Sequence, residues 1–341
     1  MFDVITIGTA TRDIFLTSPL FKVLRDPAHL KKIGFKTAEA QCFALGGKIE
    51  ISKPILTTGG GATNAAVTFS RQGFKTAALI KIGEDQAGKD ILDELVREKI
   101  TTLKLQTNNN GTAHSTILLA PSGERTILVY RGASEDLKLK EIPFDKLKAK
   151  WLYISPGRIS FETVKKVIDY AAGRKIPVAF NPSQYFIDLG IKKLKPILMK
   201  SKAVILNREE ASCLTKADYE NSKEIFKRLD KVVAGLAVMT DGPRGAMVSD
   251  GFNIYQAKGF ESKKVIDRTG AGDAFGSGFV SGLIQKRDIK YAIRLGMANA
   301  ASVVEYIGTK EGILTKKEFE KSKRWQHLPI KISKLTHYEI I

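Results

Sequence analysis

Asp267-Arg268-Thr269-Gly270-Ala271-Gly272-Asp273 runs directly into a stretch of small and apolar residues, Ala274 to Ile284. The passage reads as a glycine-rich turn opening a long helix. The first N–H groups of a helix have no partner within it, and the helix dipole adds partial positive charge there. Gly270, Ala271 and Gly272 offer those donors without a side chain to hold a phosphate away, so the turn is an anion site. Asp273 stands in the first helical turn beside it. A first-turn acid on its own merely complements the dipole. A carboxylate next to a bound anion is costly, and becomes useful when it takes a proton from a nucleophile attacking that anion.

Outward from this turn, the chain alternates in type. Val4–Gly8, Thr76–Ile82, Trp151–Ser155, Pro177–Phe180, Ala203–Leu206 and Leu236–Thr240 are short apolar runs that read as strands. Ala62–Gly73, Asp90–Lys99 and Phe161–Arg174 read as helices among them. That alternation predicts an α/β fold of three layers, a central mostly parallel sheet between helices. Two stretches break it. Residues about 14–52 and 112–131 are strand-like without helices. In the second, His114–Leu119, the turn Pro121–Glu124 and Thr126–Tyr130 read as a hairpin too apolar to lie bare. The two are expected to pair into a small β-sheet lid over a site at the strand ends, inserted in one domain spanning 1–341.

Composition narrows the partners. Hydrophobic residues are 43% and charged residues 27% of the 341, an ordinary globular balance. Lys and Arg number 55 against 36 Asp and Glu, a formal charge of +19. The basic residues are scattered in pairs such as Lys31-Lys32, Lys192-Lys193 and Lys316-Lys317, with no nucleic-acid signature, so a solvated basic surface is expected and no specific nucleic acid. Such a surface draws in phosphorylated metabolites. No apolar run approaches the ~20 residues of a membrane helix, and the N-terminus reads as a strand rather than a signal peptide. Cys42, Cys213 and the four scattered histidines lack ligand or disulfide spacing, which favours a reducing cytoplasm.

Asp267 to Asp273 resembles the second signature, D-T-x-G-A-G-D, of the ribokinase-like (PfkB-type) family of sugar and nucleoside kinases, with Arg268 and Thr269 as a mild variation. The resemblance implies the fold just described, with Gly270, Ala271 and Gly272 as anion hole for the γ-phosphate and Asp273 as catalytic base. Further matches follow in the family's order over nearly the whole chain. Thr58-Gly59-Gly60-Gly61-Ala62-Thr63-Asn64 is similar to the first signature, and Asp13 to the acid after the first strand. By resemblance Asp13, Gly59, Gly60 and Asn64 hold substrate hydroxyls. A dinucleotide fingerprint is the competitor for that stretch, but its third glycine is absent.

Asn207-Arg208-Glu209-Glu210 matches the family's N-x-x-E motif, which implies that Glu210 organises Mg²⁺ through water. The same residues also spell a helix capping box. Thr240-Asp241-Gly242 resembles a nucleotide-binding turn, and Asn299 a position lining the adenine pocket. Asp267 and Thr269 are implied to supply oxygens to a monovalent cation such as K⁺. Gly83 to Asp90 nearly spells a P-loop, yet Asp90 stands where the Mg²⁺-binding hydroxyl belongs, so the segment is instead a strand-to-helix turn, G-x-D-x-x-G.

The resemblance therefore implies an ATP- and Mg²⁺-dependent kinase acting on a primary hydroxyl of a sugar. Two departures argue against ribokinase proper: Gly61 where ribokinases carry Lys, and Ser155 where an acid is expected. A nucleoside kinase is the alternative, with Phe15, Phe21, Phe35 and Phe43 available to stack a base. A non-catalytic sugar- or nucleic-acid-binding relative is more remote. Dimerisation through the lid is a further expectation. The tail from Trp325 carries no motif and is expected either to add an edge strand or to trail.

Overall fold

A computed structural model describes residues 1–33, 39–107, 109–120, 125–260 and 265–335. Its centre is a ten-stranded sheet. Seven neighbouring strands run parallel, in the order Thr101–Thr107, Thr76–Gly83, Phe2–Gly8, Ala149–Ser155, Val178–Phe180, Ala203–Asn207 and Leu236–Thr240. Three antiparallel strands, Ala246–Ser249, Asn253–Ala257 and Ile330–Lys334, extend that last edge. The tail thus adds an edge strand, and Trp325 is buried, meeting Phe260 edge to face at 5.2 Å. Every residue of Thr76–Gly83 is buried, as expected when helices cover both faces of a parallel sheet.

The glycines and serines after Asp273 have a packing reason. Helix Ala271–Lys286 lies against helix Ile289–Val303 so closely that a Cβ on Gly282 would come 2.5 Å from Ala292 Cα, and one on Gly278 3.1 Å from Gly296 Cα. Phe2–Gly8 lies between Thr76–Gly83 and Ala149–Ser155, so the chain crosses over in both directions from it. In open parallel sheets such a switch point opens a crevice at the carboxyl ends of the strands.

A second sheet holds four strands, ordered Ile55–Gly59, Thr11–Thr17, Ala113–Leu119 and Arg125–Tyr130. Its last two strands are antiparallel neighbours; the turn 121–124 lies outside the described residues. The first insertion differs from the sequence reading. Its sheet strands, Thr11–Thr17 and Ile55–Gly59, overlap the span 14–52 only at residues 14–17 instead of filling it. Within the span sit a two-stranded ribbon, Lys22–Arg25 with Glu39–Cys42, and a short helix, Pro27–Lys32, whose first turn Asp26 caps. The stretch is not helix-free. Phe21 and Phe43 pack on each other at 5.6 Å and Phe15 is 1% exposed; Phe35 lies outside the described residues.

The turn Gly83–Asp90 links the two sheets. Asp85 caps helix Gln86–Arg97 by accepting from the Gly88 amide at 2.8 Å, and also accepts from the Thr112 amide at 2.8 Å and hydroxyl at 2.6 Å. A Cβ on Gly83 would lie 2.5 Å from the Thr112 nitrogen. The segment fastens the approach to the small sheet onto the large one.

Candidate active site

The crevice at the strand ends holds a cavity of about 370 Å³. Thr9, Ser155, Asn181, Asn207 and Thr240, each at or just beyond a parallel strand, line it together with Gly61, Glu210, Gly270, Gly272 and Asp273. Gly270 caps helix Ala271–Lys286 with φ +79, a backbone that side-chain-bearing residues seldom adopt, and a Cβ there would meet Thr309 Cβ at 2.7 Å. Gly272 is different. A Cβ on it would meet nothing within 4 Å, so packing does not demand glycine there. The missing side chain leaves the amide bare toward the cavity, and among the described residues no acceptor pairs with the Gly272 or Asp273 N–H.

Asp273 is half-buried on the cavity floor. It accepts from Asn64 Nδ2 at 2.9 Å and lies 3.5 Å from Asn181 Nδ2. Burial raises its pKa above the ordinary carboxylate value and the charge of Asp13 adds to this, while the Asn64 hydrogen bond and Lys310 oppose it. A Cβ on Gly61 would strike Ser155 Oγ at 2.0 Å and come 3.5 Å from Asp273 Oδ1. The glycine therefore lets helix Gly61–Arg71 begin directly against the floor.

Asp13, Gly59, Gly60 and Asn64 form an adjoining cluster, joined to the cavity through the Asn64–Asp273 bond. Asp13 is 4% exposed and accepts from Thr11 Oγ1 at 3.0 Å; burial raises its pKa as well. A Cβ on Gly59 would lie 2.0 Å from Asp13 Oδ2, and Gly60 turns the chain at φ +100.

Asn207 and Glu210 do form the capping box, each side chain bonding the other's amide at 2.8 Å. Both also line the cavity. Burial, with the charges of Glu209 and Asp273, raises the Glu210 pKa to about 7. Its Oε1 has no partner among the described residues, and neither Glu210 nor Asp273 forms an ion pair there. A carboxylate left uncompensated at the rim of an anion site suits a cation arriving with the anion. Among the described residues no three His, Cys, Asp or Glu side chains gather to hold a metal.

Thr240 lines the cavity, and Gly242 takes φ +52 in the turn beyond it. Between them Asp241 is clamped by Arg208 Nη1 at 2.6 Å and Arg244 Nε at 3.0 Å, and the two guanidiniums lie 5.2 and 5.3 Å from the centre of the Tyr219 ring. Sequence reasoning missed this clamp. Its signal was the Arg inside N-x-x-E, which locks the two motifs of neighbouring strands together. Asp267 is 2% exposed and accepts from the Thr269 amide and hydroxyl at 2.9 and 2.6 Å and from the Gly308 amide at 3.3 Å.

Asn299 requires a correction. It does not line the cavity. It is fully buried, donating to Thr68 Oγ1 at 3.2 Å and to the Ala274 carbonyl at 2.8 Å, and accepting from the Leu314 amide at 3.0 Å. Its amide is used in holding the loop after helix Ile289–Val303, so it presents no donor to an adenine.

An anion turn, a half-buried carboxylate beside it and a second carboxylate, Glu210, able to accompany a cation, all at the switch point of a parallel sheet, define an α/β phosphotransferase. The model of the pfkB family of carbohydrate kinases matches residues 28–316, and the chain belongs to that family. It is 30% identical over 260 residues to a cytidine kinase of Thermococcus kodakarensis, covering 73% of this chain and 88% of that protein. It is 28% identical over 251 residues to an uncharacterized sugar kinase of Archaeoglobus fulgidus, covering 72% of this chain and 97% of that protein. The ribokinase structure from Giardia lamblia superposes with a TM-score of 0.76 at 20% identity, over 93% of this chain and 98% of that one. The fold is ribokinase-like and the chain is an ATP-dependent carbohydrate kinase.

Proposed function

We propose that this enzyme phosphorylates a primary hydroxyl of a small sugar, with Asp273 as general base. The observation that carries the reading is that Gly272, whose amide has no acceptor among the described residues and whose missing side chain leaves open space, lines the same cavity as Asp273. The Gly270–Gly272 turn receives the γ-phosphate and stabilises charge on the transferring group. Asp273, whose pKa is raised by burial, takes the acceptor hydroxyl's proton as the oxygen attacks phosphorus. Asp13, Gly59, Gly60 and Asn64 orient the sugar, and Thr240 and Gly242 form the turn along which ATP lies. Glu210 and Asn207 would face, through water, the Mg²⁺ carried with ATP, which would supply neutralisation of phosphate charge.

A nucleoside acceptor is the second reading, and the 30% identity to a cytidine kinase favours it. Against it, Phe15 and Phe21 are buried, which leaves Phe43, 43% exposed and edge to face with Phe21, as the described aromatic of the first insertion with a face to offer a base. An ADP-release assay across sugars and nucleosides with Mg-ATP separates the two: turnover on sugars alone supports the first, on nucleosides alone the second. Silence with every acceptor overturns both.

Two finer features belong to the same proposal. Asp267, buried without an ion pair among the described residues, supplies an oxygen with Thr269 for a monovalent cation that raises turnover; equal rates in K⁺, Na⁺ and Tris refute this. The two exposed free cysteines suit a reducing cytoplasm, and among the described residues no helix is long and apolar enough to cross a membrane.

A further inference from the structure

Thr309, outside every motif singled out in the sequence, touches both halves of the site. It is 3% exposed and follows Gly308, which turns the chain at φ +99. Its hydroxyl lies 2.8 Å from Asn64 Oδ1 and 3.3 Å from the Thr58 carbonyl. Asn64, also 3% exposed, donates to Asp273 Oδ2 from its Nδ2 at 2.9 Å. On its other side Thr309 packs against Gly270 of the anion turn so tightly that a Cβ there would meet it at 2.7 Å.

We propose that Thr309 is a positioning residue for Asp273, acting through the side-chain amide of Asn64. An ionised carboxylate only accepts hydrogen bonds, so the amide must turn Nδ2 toward Asp273 and leave Oδ1 facing away. That oxygen is buried and needs a donor. Thr309 has one hydroxyl proton and its nearer acceptor is Asn64 Oδ1. Without it the buried oxygen is unsatisfied, and the Asn64 side chain is free to leave the place from which it holds the base.

Thr309 is itself held in place. Arg71 Nη1 donates to the Lys310 and Ile313 carbonyls, each at 2.9 Å. The Leu314 amide donates to Asn299 Oδ1, and Lys310 Nζ is bonded to Glu94 at 2.6 Å. A hydroxyl on a loop fixed at these points can set the position of a second side chain, because its own does not wander.

The inference rests on Asp273 being the base. Thr309→Val keeps the shape and removes the donor; Thr309→Ser keeps the donor. With the best acceptor found, Thr309→Val is expected to lower kcat about 10- to 100-fold through misplacement of the base, with KM for ATP within about twofold of wild type and KM for the acceptor rising, because Asn64 also orients it. Thr309→Ser restores most of the rate. A merely structural threonine would lower the melting temperature and leave kcat of the folded protein alone. Where Val disturbs the packing on Gly270, Thr309→Ala carries the same comparison. In an Asn64→Ala background, Thr309→Val should cost nothing further. Wild-type kcat in folded Thr309→Val or Thr309→Ala, or full additivity with Asn64→Ala, overturns the inference. An inactive Asp273→Asn beside an unaffected Thr309→Val sinks this inference alone, whereas an active Asp273→Asn sinks the base assignment beneath it.

Discussion

Replacing Asp273 by Asn tests the chemistry most directly. The substitution keeps size and planarity, and the new amide can offer its oxygen to Asn64 Nδ2, which now bonds Asp273 Oδ2 at 2.9 Å. What is lost is a group able to accept the acceptor's proton. A positioned general base contributes about 10²–10⁴ in rate, or about 2.7–5.4 kcal/mol at ~1.36 kcal/mol per decade. Stability should change little, because two effects oppose. Losing an acid from the third position of helix Ala271–Lys286 removes a dipole partner worth about 0.3–1 kcal/mol. Against this, the Asp273 pKa is raised in the folded state, chiefly by burial. An acid raised on folding ionises first in the unfolded chain, so it favours unfolding as pH climbs above the ordinary Asp value, and Asn removes that penalty. The assay is steady-state ADP release with the best sugar of a panel, alongside titration of ATP binding and a thermal melt. The expected result is a kcat lower by two to four decades with ATP affinity and melting temperature nearly unchanged. Near-wild-type kcat in a folded Asp273→Asn protein would refute the assignment, since a carboxylate serving only the helix dipole predicts that outcome.

Glu94→Gln should destabilise the fold by about 3–5 kcal/mol, because it leaves the ammonium of Lys310, 5% exposed, without its charged partner; denaturant melts check this, and Glu94→Gln with Lys310→Met should recover most of the loss. Asp85→Ala should cost about 0.5–2 kcal/mol as a lost helix cap, with the Thr112 amide and hydroxyl proton left without their acceptor besides, although the hydroxyl oxygen still accepts from the Gly83 amide. Burial raises the Asp85 pKa, but the Thr112 and Gly88 hydrogen bonds outweigh it and hold it below the ordinary value. Its ionic contribution is therefore full above the unfolded-state pKa and fades as pH falls through the folded one, so melting curves of wild type and Asp85→Asn should converge in acid. The outer strand of the small sheet exposes Leu128, Val129 and Tyr130 by 57, 50 and 53%; light scattering should find a dimer and Leu128→Glu a monomer, and a monomeric wild type removes the idea.

Much of the fold was legible because its signals are local. Each central strand is a short apolar run, and Gly270 to Asp273 announces both a turn and its chemistry within four residues. Other elements lacked such a signal. Thr101–Thr107 is an edge strand with no fully buried residue, so no apolar run marks it. Thr11–Thr17 begins three residues after Phe2–Gly8 ends, parted by Gly8 at φ +146, where a Cβ would overlap the Ser155 carbonyl. One pattern there serves two sheets. Asn64 and Asn299 show the limit for single residues. Both are buried asparagines on helices, yet one bonds Asp273 beside the cavity and the other is used up inside the fold. Only the loop 308–314, which meets both, tells them apart, and its contact with Asn64 spans 245 residues of chain, too far for a local pattern to show.

The charge balance of the site also inverts that of the chain. Formal charge is +19 overall, yet Asp13, Asp267, Asp273 and Glu210 collect in and around one crevice, and burial raises the pKa of Asp13, Asp273 and Glu210. Lys310, the buried ammonium in this neighbourhood, is already bound to Glu94. On the proposed reading, a crevice so arranged should disfavour a bare polyphosphate relative to one that brings its own cation. The basic exterior raises the local concentration of anions at long range, where salt screens it; the acidic interior, shielded from salt, admits them only when partly neutralised. Raising ionic strength should therefore slow capture of Mg-ATP at low concentration while leaving the saturated rate untouched.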